Sequence, residues 1–239
     1  MAIAPTDNET FYREVDEELR RQQMKSFWQR YGIALAIGLA LLLAAVAGYL
    51  WWRAEQRKAA EREAEMLVST VTQLGENRPA GTKAKIDQLA QSPREGYRAA
   101  ALFTRAGVHL AEGREPQAIA TYREIATNDD FPAPYRDMAL IRQTVLEYDR
   151  LQPAQVVARL RPLAAEGSPW RGTAGELVGA ALMKQGKAKE AAPIFAGIAK
   201  DQTVPESIRA RATQMAGSLG IDATEDGSAR PSGAAKQGE

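Results

Sequence analysis

One uncharged run, YGIALAIGLALLLAAVAGYLWW, constrains this chain more than any other feature of its sequence. It extends from Tyr31 to Trp52 and is bracketed by Arg30 and Arg53. As an α-helix its 22 residues would be about 33 Å long, and the hydrocarbon core of a bilayer is about 30 Å thick. Aromatic residues lie at both ends, where their rings suit the headgroup layers. The sequence therefore predicts a transmembrane helix over 31–52.

A soluble core helix and a removed signal peptide are the two other interpretations of this run. A soluble core helix gives no reason for aromatic residues at both ends. Ala45-Val46-Ala47 has the form of a signal-peptidase site, but six acidic residues precede the run and its apolar character continues to Trp52. We expect an uncleaved anchor. A cleaved, soluble repeat protein stays the alternative, because the sequence does not decide whether the triplet is ever cut.

The charges flanking the run bear on its orientation. Four Lys or Arg residues lie within fifteen residues of the run on each side, so the count is tied. The positive-inside rule applies best to short flanks, since long domains translocate largely regardless of charge. The short flank is 1–30, which we expect to be a cytoplasmic amphipathic segment. The domain after the span is then expected outside the cytoplasm.

Small residues recur every four positions along the run. They are Gly32, Ala36, Ala40, Ala44 and Gly48. A stripe of small side chains lets a second helix approach closely, which is how membrane spans associate. The stripe is either such a packing face or a chance product of an alanine-rich span.

Beyond Trp52 the sequence predicts helices throughout. The expected helices are 54–74, 82–91, 93–112, 115–127, 133–149, 153–165, 169–185, 187–200 and 205–219. Glycines follow several of them as stop signals, and no alternating strand pattern is found. The fold class is therefore all-α, with a helical domain over 53–220. The remaining segment, 221–239, is polar and rich in small residues, and we expect it to be disordered.

Two segments of the helical domain repeat at an offset of 73 residues. LAEGREPQAIATYREIA (110–126) aligns with MKQGKAKEAAPIFAGIA (183–199), with glycine, small and aromatic residues in matching places. This offset suits two helix pairs, so a degenerate middle copy is expected near 133–168. Val156 and Leu160 would take its small and aromatic places. Helix pairs that bury their apolar faces only against neighbouring pairs form an α-solenoid, and this pattern resembles the tetratricopeptide repeat.

Stacked helix pairs offer a concave groove that binds extended segments or partner domains. From the spacing of the repeats we predict the side chains that face it. They are Phe103, Leu110, Glu176, Met183 and Lys184.

Residues with catalytic or metal-binding chemistry are few. Cysteine is absent and His109 is the only histidine, which leaves little from which to build a triad or a zinc site. The sequence has neither a phosphate-binding G-x-x-x-x-G-K-[ST] loop nor a G-x-G-x-x-G motif. Lys and Arg total 31 against 30 Asp and Glu, without the basic face of a nucleic-acid binder. We expect no enzyme, no metal or other cofactor and no nucleic-acid partner.

The order of segments resembles the YfgM-type ancillary subunit of the bacterial Sec translocon. The resemblance covers about residues 10–220 and is carried by FYREVDEELRRQQMKSFWQRYG before the span and GELVGAALMKQGKAKEAAPIFAGIAKD in the last repeat. It implies a single-pass protein of the bacterial inner membrane, with a cytoplasmic N-terminus and a periplasmic repeat domain. The implied partners are the lipid bilayer, the Sec channel subunits, a membrane-anchored periplasmic chaperone and secreted polypeptides.

Another envelope scaffold of the same architecture, serving cell division or outer-membrane assembly, remains an alternative function. The sequence leaves open the client proteins, the oligomeric state and which groove residues contact partners.

Overall fold

The structure, a computed structural model, describes residues 7–223, with side chains from residue 24 onward except 26 and 27. All regular elements within these residues are helical, which confirms the all-α fold class. They are α1 (Asp7–Gly75), α2 (Thr82–Leu89), α3 (Glu95–Ala111), α4 (Glu115–Thr127), α5 (Ala133–Glu147), α6 (Pro153–Leu160), α7 (Arg171–Lys184), α8 (Ala188–Lys200) and α9 (Glu206–Ser218).

The first compact unit ends at Glu63 and contains the apolar run of α1. This part of the chain is long and apolar enough to cross a membrane, and no residue of its most apolar window is buried. Leu41 is 67% exposed and Trp51 is 73% exposed, for example. A helix that is apolar all round needs a bilayer or other helices to cover it, so α1 holds a candidate membrane span. The side chains of the expected amphipathic segment, 1–30, lie almost entirely outside the described residues.

The second unit begins at Ala64 and includes α2 to α9. Each helix from α2 onward packs against the next one in the chain, and α7 also contacts α9. The helices therefore form a series of pairs, α3–α4, α5–α6 and α7–α8, with α9 covering the last pair. Such sequential packing is the arrangement of an α-solenoid. Ile221 and Ala223 still pack against its core, and the rest of the expected tail lies outside the described residues.

Small and large side chains alternate in the same way along the second helix of each pair. Ala118 and Ala191 are fully buried, and Tyr122 and Phe195, one turn later, are buried to 6% and 2% exposure. In the middle pair these places hold Val156 (1%) and Leu160 (0%), which is the assignment that the sequence predicted. Burying each large side chain contributes roughly 1.5–3 kcal/mol of transfer free energy.

The turn inside each pair is built in one of two ways. Gly113 and Gly186 have φ of 71° and 73°, in the left-handed region that glycine enters without strain. The middle pair has no glycine at its turn. There the side chain of Gln155 accepts a hydrogen bond from the backbone N–H of Gln152 at 3.0 Å, which satisfies a donor at the start of α6.

The turns that end the first and last pairs are also related by the repeat. The Asn128 side chain accepts from the backbone N–H of Asp130 at 2.9 Å, and Asp201, 73 residues later, accepts from Thr203 at 3.0 Å. Both side chains close an Asx turn after the second helix of a pair. A proline follows each turn and precedes the next helix, so the solenoid changes direction in the same way twice.

Glycines on α7 let its neighbours approach its backbone. A Cβ at Gly172 would lie 2.8 Å from Val204, one at Gly175 would lie 2.7 Å from Ile198, and one at Gly179 would lie 2.5 Å from the ring of Phe195. No Cβ fits at these distances. The last repeat therefore owes its close packing to residues that have no side chain.

Candidate partner-binding site

Half-exposed apolar side chains lie near the C-terminal ends of the first helices of the three pairs. Leu110 on α3 is 37% exposed, Val145 on α5 is 47% exposed and Met183 on α7 is 36% exposed. Leu110 and Met183 occupy equivalent places in the repeat, 73 residues apart, and Val145 lies near the end of α5. We call these three residues the apolar row.

Ion pairs hold the ends of these helices next to each other. Lys184 donates to Asp149 at 3.0 Å, and its ammonium lies 4.4 Å from the centre of the Tyr148 ring. Arg150 donates to Glu115, at the start of α4 just after the α3–α4 turn. The end of α5 is therefore in contact with the end of α7 on one side and with the α3–α4 turn on the other.

Tyr148 and Lys184 form the polar flank of the apolar row. Burial raises the pKa of the Tyr148 phenol, the charge of Lys184 lowers it and the charge of Asp149 raises it. The Tyr148 hydroxyl is buried and has no hydrogen-bond partner among the described residues. Lys184 is half exposed, so solvent still reaches part of the side chain whose ammonium contacts the Tyr148 ring.

Glu176, another predicted groove residue, forms an ion pair with Arg211 within the solenoid. Its two carboxylate oxygens accept from Nε and Nη2 of Arg211 at 2.9 and 2.8 Å, which is the bidentate geometry of a strong ion pair. This pairing raises the pKa of Arg211. The Glu176 side chain is 24% exposed, and in this state it ties α7 to α9.

Phe103 is partly buried. Its ring is tilted against that of Tyr122, with the centroids 5.9 Å apart, and it packs against the core cluster of the first pair. Leu110, Met183 and Lys184 therefore lie exposed near the ends of α3 and α7, while Phe103 and Glu176 make internal contacts. A role of the five residues in partner binding stays a prediction.

The stripe of small residues on the candidate span is exposed over most of its length. Ala36, Ala40, Ala44 and Gly48 are all exposed, whereas Gly32 is half-buried. The ring of Trp28 lies 3.2 Å from the place of a Gly32 Cβ, so the helix covers the first member of the stripe itself. Any second helix would meet the stripe from Ala36 onward.

No group of three or more His, Asp or Glu side chains that could hold a metal occurs in the described part of the chain. His109 is surrounded by cations instead. Burial lowers the pKa of its imidazole, and the charges of Arg114, Arg105 and Lys83 lower it further.

Two features of this region were not predicted from the sequence. Val145 belongs to the degenerate middle copy, and no repeat spacing indicated it, because the offset of 38 residues that aligns Ala118 with Val156 takes Leu110 to Tyr148. The second feature is Glu147, whose carboxylate accepts from Arg159 on α6, from Gln143 at 3.1 Å and from Arg123 on α4 at 3.3 Å. Glu147 therefore joins α4, α5 and α6.

Comparison with known families decides the classification of the chain. The sequence model of the tetratricopeptide repeat-like domain matches residues 25–215. The chain belongs to this family. The match includes the apolar run of α1 as well as the helix pairs, and it ends within α9. Comparisons with curated proteins and with solved structures yield no match.

In a chain of the tetratricopeptide repeat-like family, the apolar row is a candidate site for binding other polypeptides. Solenoids of this kind stack helix pairs into an extended surface on which other polypeptides bind. Half-exposed apolar side chains near the ends of successive helix pairs are candidates for the apolar centre of such a surface.

Proposed function

We propose that this protein is a membrane-anchored scaffold that binds other polypeptides on its apolar row. The single observation that carries the proposal is the exposure of Leu110, Val145 and Met183 near the C-terminal ends of the first helices of three successive pairs, in a chain with a candidate membrane span. Apolar side chains in the centre of an interface, with charged groups at the rim, supply much of its binding energy. Lys184 and Arg150 would form that rim.

The specific role we propose is that of an ancillary subunit of the bacterial Sec translocon. Residues 1–30 would lie in the cytoplasm and the repeats in the periplasm. The protein would bind channel subunits and a membrane-anchored periplasmic chaperone, and would assist secreted polypeptides as they leave the channel. The segment order and the resemblance to the YfgM-type subunit support this role, and the repeat-like family assignment agrees with it.

Affinity capture from gently solubilised membranes tests the proposal. The full chain should co-purify with channel subunits and the chaperone. A variant with Leu110→Ser, Val145→Ser and Met183→Ser should lose them, because polar side chains remove the apolar area that a partner would bury. Since all three side chains are partly exposed already, the variant should fold.

Val68→Ser with Val71→Ser is the matched control. These valines are 64% and 52% exposed, so their replacement removes exposed apolar area from α1, a helix that carries no residue of the row. The control should retain the partners. Capture that lacks channel subunits would contradict the translocon role, and equal capture by both variants would contradict the apolar row.

A further inference from the structure

One side of α1 combines aromatic and basic side chains where the candidate span ends. The residues recur at i, i+3, i+4, i+7 and i+8, a spacing that places them on one side of a helix. They are Tyr49, Trp52, Arg53, Gln56 and Arg57, and all five are exposed. The ring centroids of Tyr49 and Trp52 are 6.3 Å apart. We call these five residues the aromatic–basic face.

The two arginines of the aromatic–basic face are not bound to carboxylates of the chain. Neither Arg53 nor Arg57 forms an ion pair with a residue that the structure describes, and this includes Glu61, one turn after Arg57. Glu55 lies on another side of the helix, where it binds Arg62 at 3.2 Å. The face therefore presents two cations to an anion from outside the chain.

The position of these arginines along α1 fits the headgroup layer of a bilayer. With Trp52 at the end of the hydrocarbon core, Arg53 and Arg57 lie about 1.5 Å and 7.5 Å beyond it, at 1.5 Å per residue. The headgroup layer of one leaflet is about 5–8 Å thick. Glu61 would lie about 14 Å beyond Trp52, which is outside this layer. The layer would therefore contain both arginines but not the carboxylate that follows them.

We propose that the aromatic–basic face binds the headgroup of an anionic phospholipid, with its phosphate between Arg53 and Arg57. Side chains four residues apart on a helix have Cβ atoms about 5–6 Å apart, so both guanidinium groups can donate to the oxygens of one phosphate. The Tyr49 hydroxyl and the Trp52 indole N–H can donate to oxygens of the same lipid nearer the acyl chains. This inference rests on the anchor in the proposed function, because only an inserted span brings the face to a headgroup.

Native mass spectrometry of the detergent-solubilised full chain, titrated with phosphatidylglycerol or with phosphatidylcholine, tests the proposal. Both lipids contain a phosphate, but only phosphatidylglycerol has a net charge. The unaltered chain should bind phosphatidylglycerol about tenfold more tightly, because each cation near an anionic lipid strengthens binding several-fold. Arg53→Gln with Arg57→Gln should weaken phosphatidylglycerol binding about tenfold and change phosphatidylcholine binding less than about twofold.

Lys83→Gln with Lys189→Gln is the matched control, because it removes the same charge from α2 and α8. Both lysines are exposed, and neither forms an ion pair with a described residue. This control should change the binding of either lipid less than about twofold. Equal affinity for the two lipids or equal effects of the two double variants would overturn the proposal. Displacement of phosphatidylglycerol by an equal concentration of soluble glycerol phosphate would also overturn it, since the site would then bind free phosphate.

Insertion into phosphatidylcholine liposomes separates this proposal from the anchor on which it rests. The unaltered chain and the arginine double variant should both float with the liposomes in a density gradient, since the apolar run is the same in both. An unaltered chain that stays in the aqueous layer would contradict the anchor, and with it this proposal. A chain that inserts without preferring phosphatidylglycerol would contradict the headgroup site alone.

Discussion

Gly179 shows at the scale of one residue how the last repeat is held together. The ring of Phe195 lies against its backbone, and a Cβ there would be 2.5 Å from a ring carbon. We predict that Gly179→Ala destabilises the protein by about 1–3 kcal/mol, because the ring would have to move within a close-packed core. Denaturant unfolding of the purified chain, followed by circular dichroism, measures the change.

Gly107 provides the matched control, since it also lies within a helix but has no atom within 4 Å of its Cβ position. Gly107→Ala should stabilise the protein by about 0.5–1 kcal/mol, because alanine loses less backbone entropy in a helix. The two alanine substitutions should therefore have opposite signs. The same sign for both would contradict the packing described for α7.

Glu147 should make the stability of the repeat domain depend on pH. Burial raises the pKa of its carboxyl, but the hydrogen bonds from Arg159 and Gln143 and the charges of Arg159 and Arg123 outweigh burial and lower it. A carboxyl with a lowered folded-state pKa stabilises the fold above its unfolded pKa, and that stabilisation is lost as the pH falls through the folded value. We predict that Glu147→Gln removes this part of the pH dependence.

Unfolding free energies of Glu147→Gln at pH 7 and in the acid range below the ordinary glutamate pKa check this prediction. At pH 7 the variant should lose about 1.5–3 kcal/mol, the range for hydrogen bonds to a charged group. At acid pH the difference should shrink. Glu124→Gln, an exposed glutamate of α4, should leave the curve unchanged. A constant loss at every pH would show that the charge of Glu147 is not what stabilises the junction.

At the scale of helices, local signals placed most boundaries. The sequence predicted 115–127 for α4, and the structure has Glu115–Thr127, because glycine precedes this helix and a side-chain turn at Asn128 follows it. The prediction of 153–165 for α6 was too long, since the helix ends at Leu160. Pro162 has no N–H to continue the helical hydrogen bonds, and the apolar spacing beyond it does not compensate.

The small-residue stripe gives a prediction about a helix as a unit. Ala40→Leu with Ala44→Leu should leave membrane insertion intact, because leucine is at least as apolar, and should weaken association with partner spans by blocking close approach. Ala34→Leu, on another face of the same helix, is the control. Co-purification of membrane partners is the measurement. Unchanged co-purification of the double variant would show that the stripe reflects composition alone.

For the whole molecule, the sequence predicted the packing of the helix pairs better than the contacts of the side chains on their surface. Alternating small and aromatic residues imply stacked helix pairs, because only a neighbouring pair can bury them. The same spacing predicted that Leu110 and Met183 face the groove, and both side chains are partly exposed. The pairing of Glu176 with Arg211 could not be predicted, since the two residues are 35 positions apart and on different helices.

The length of the mature chain distinguishes an anchored protein from a released one. We predict that intact mass spectrometry of the protein from membranes gives a chain that still contains Ala45-Val46-Ala47 and the residues before it. Such a chain retains the apolar run whole. A mature chain that has lost its first 47 residues would support the cleaved, soluble alternative and would end the case for an anchor.

Site-specific photocross-linking in native membranes tests the central claim most directly. With a photoreactive amino acid at Val145, we predict adducts between this protein and other polypeptides in the membrane fraction, because the side chain is 47% exposed in the middle of the apolar row. The same probe at Glu124, an exposed position of α4 outside the row, should give none. Equal adducts from both positions, no adducts from Val145, or recovery of the chain from the aqueous fraction would contradict a membrane-anchored scaffold that binds through this row.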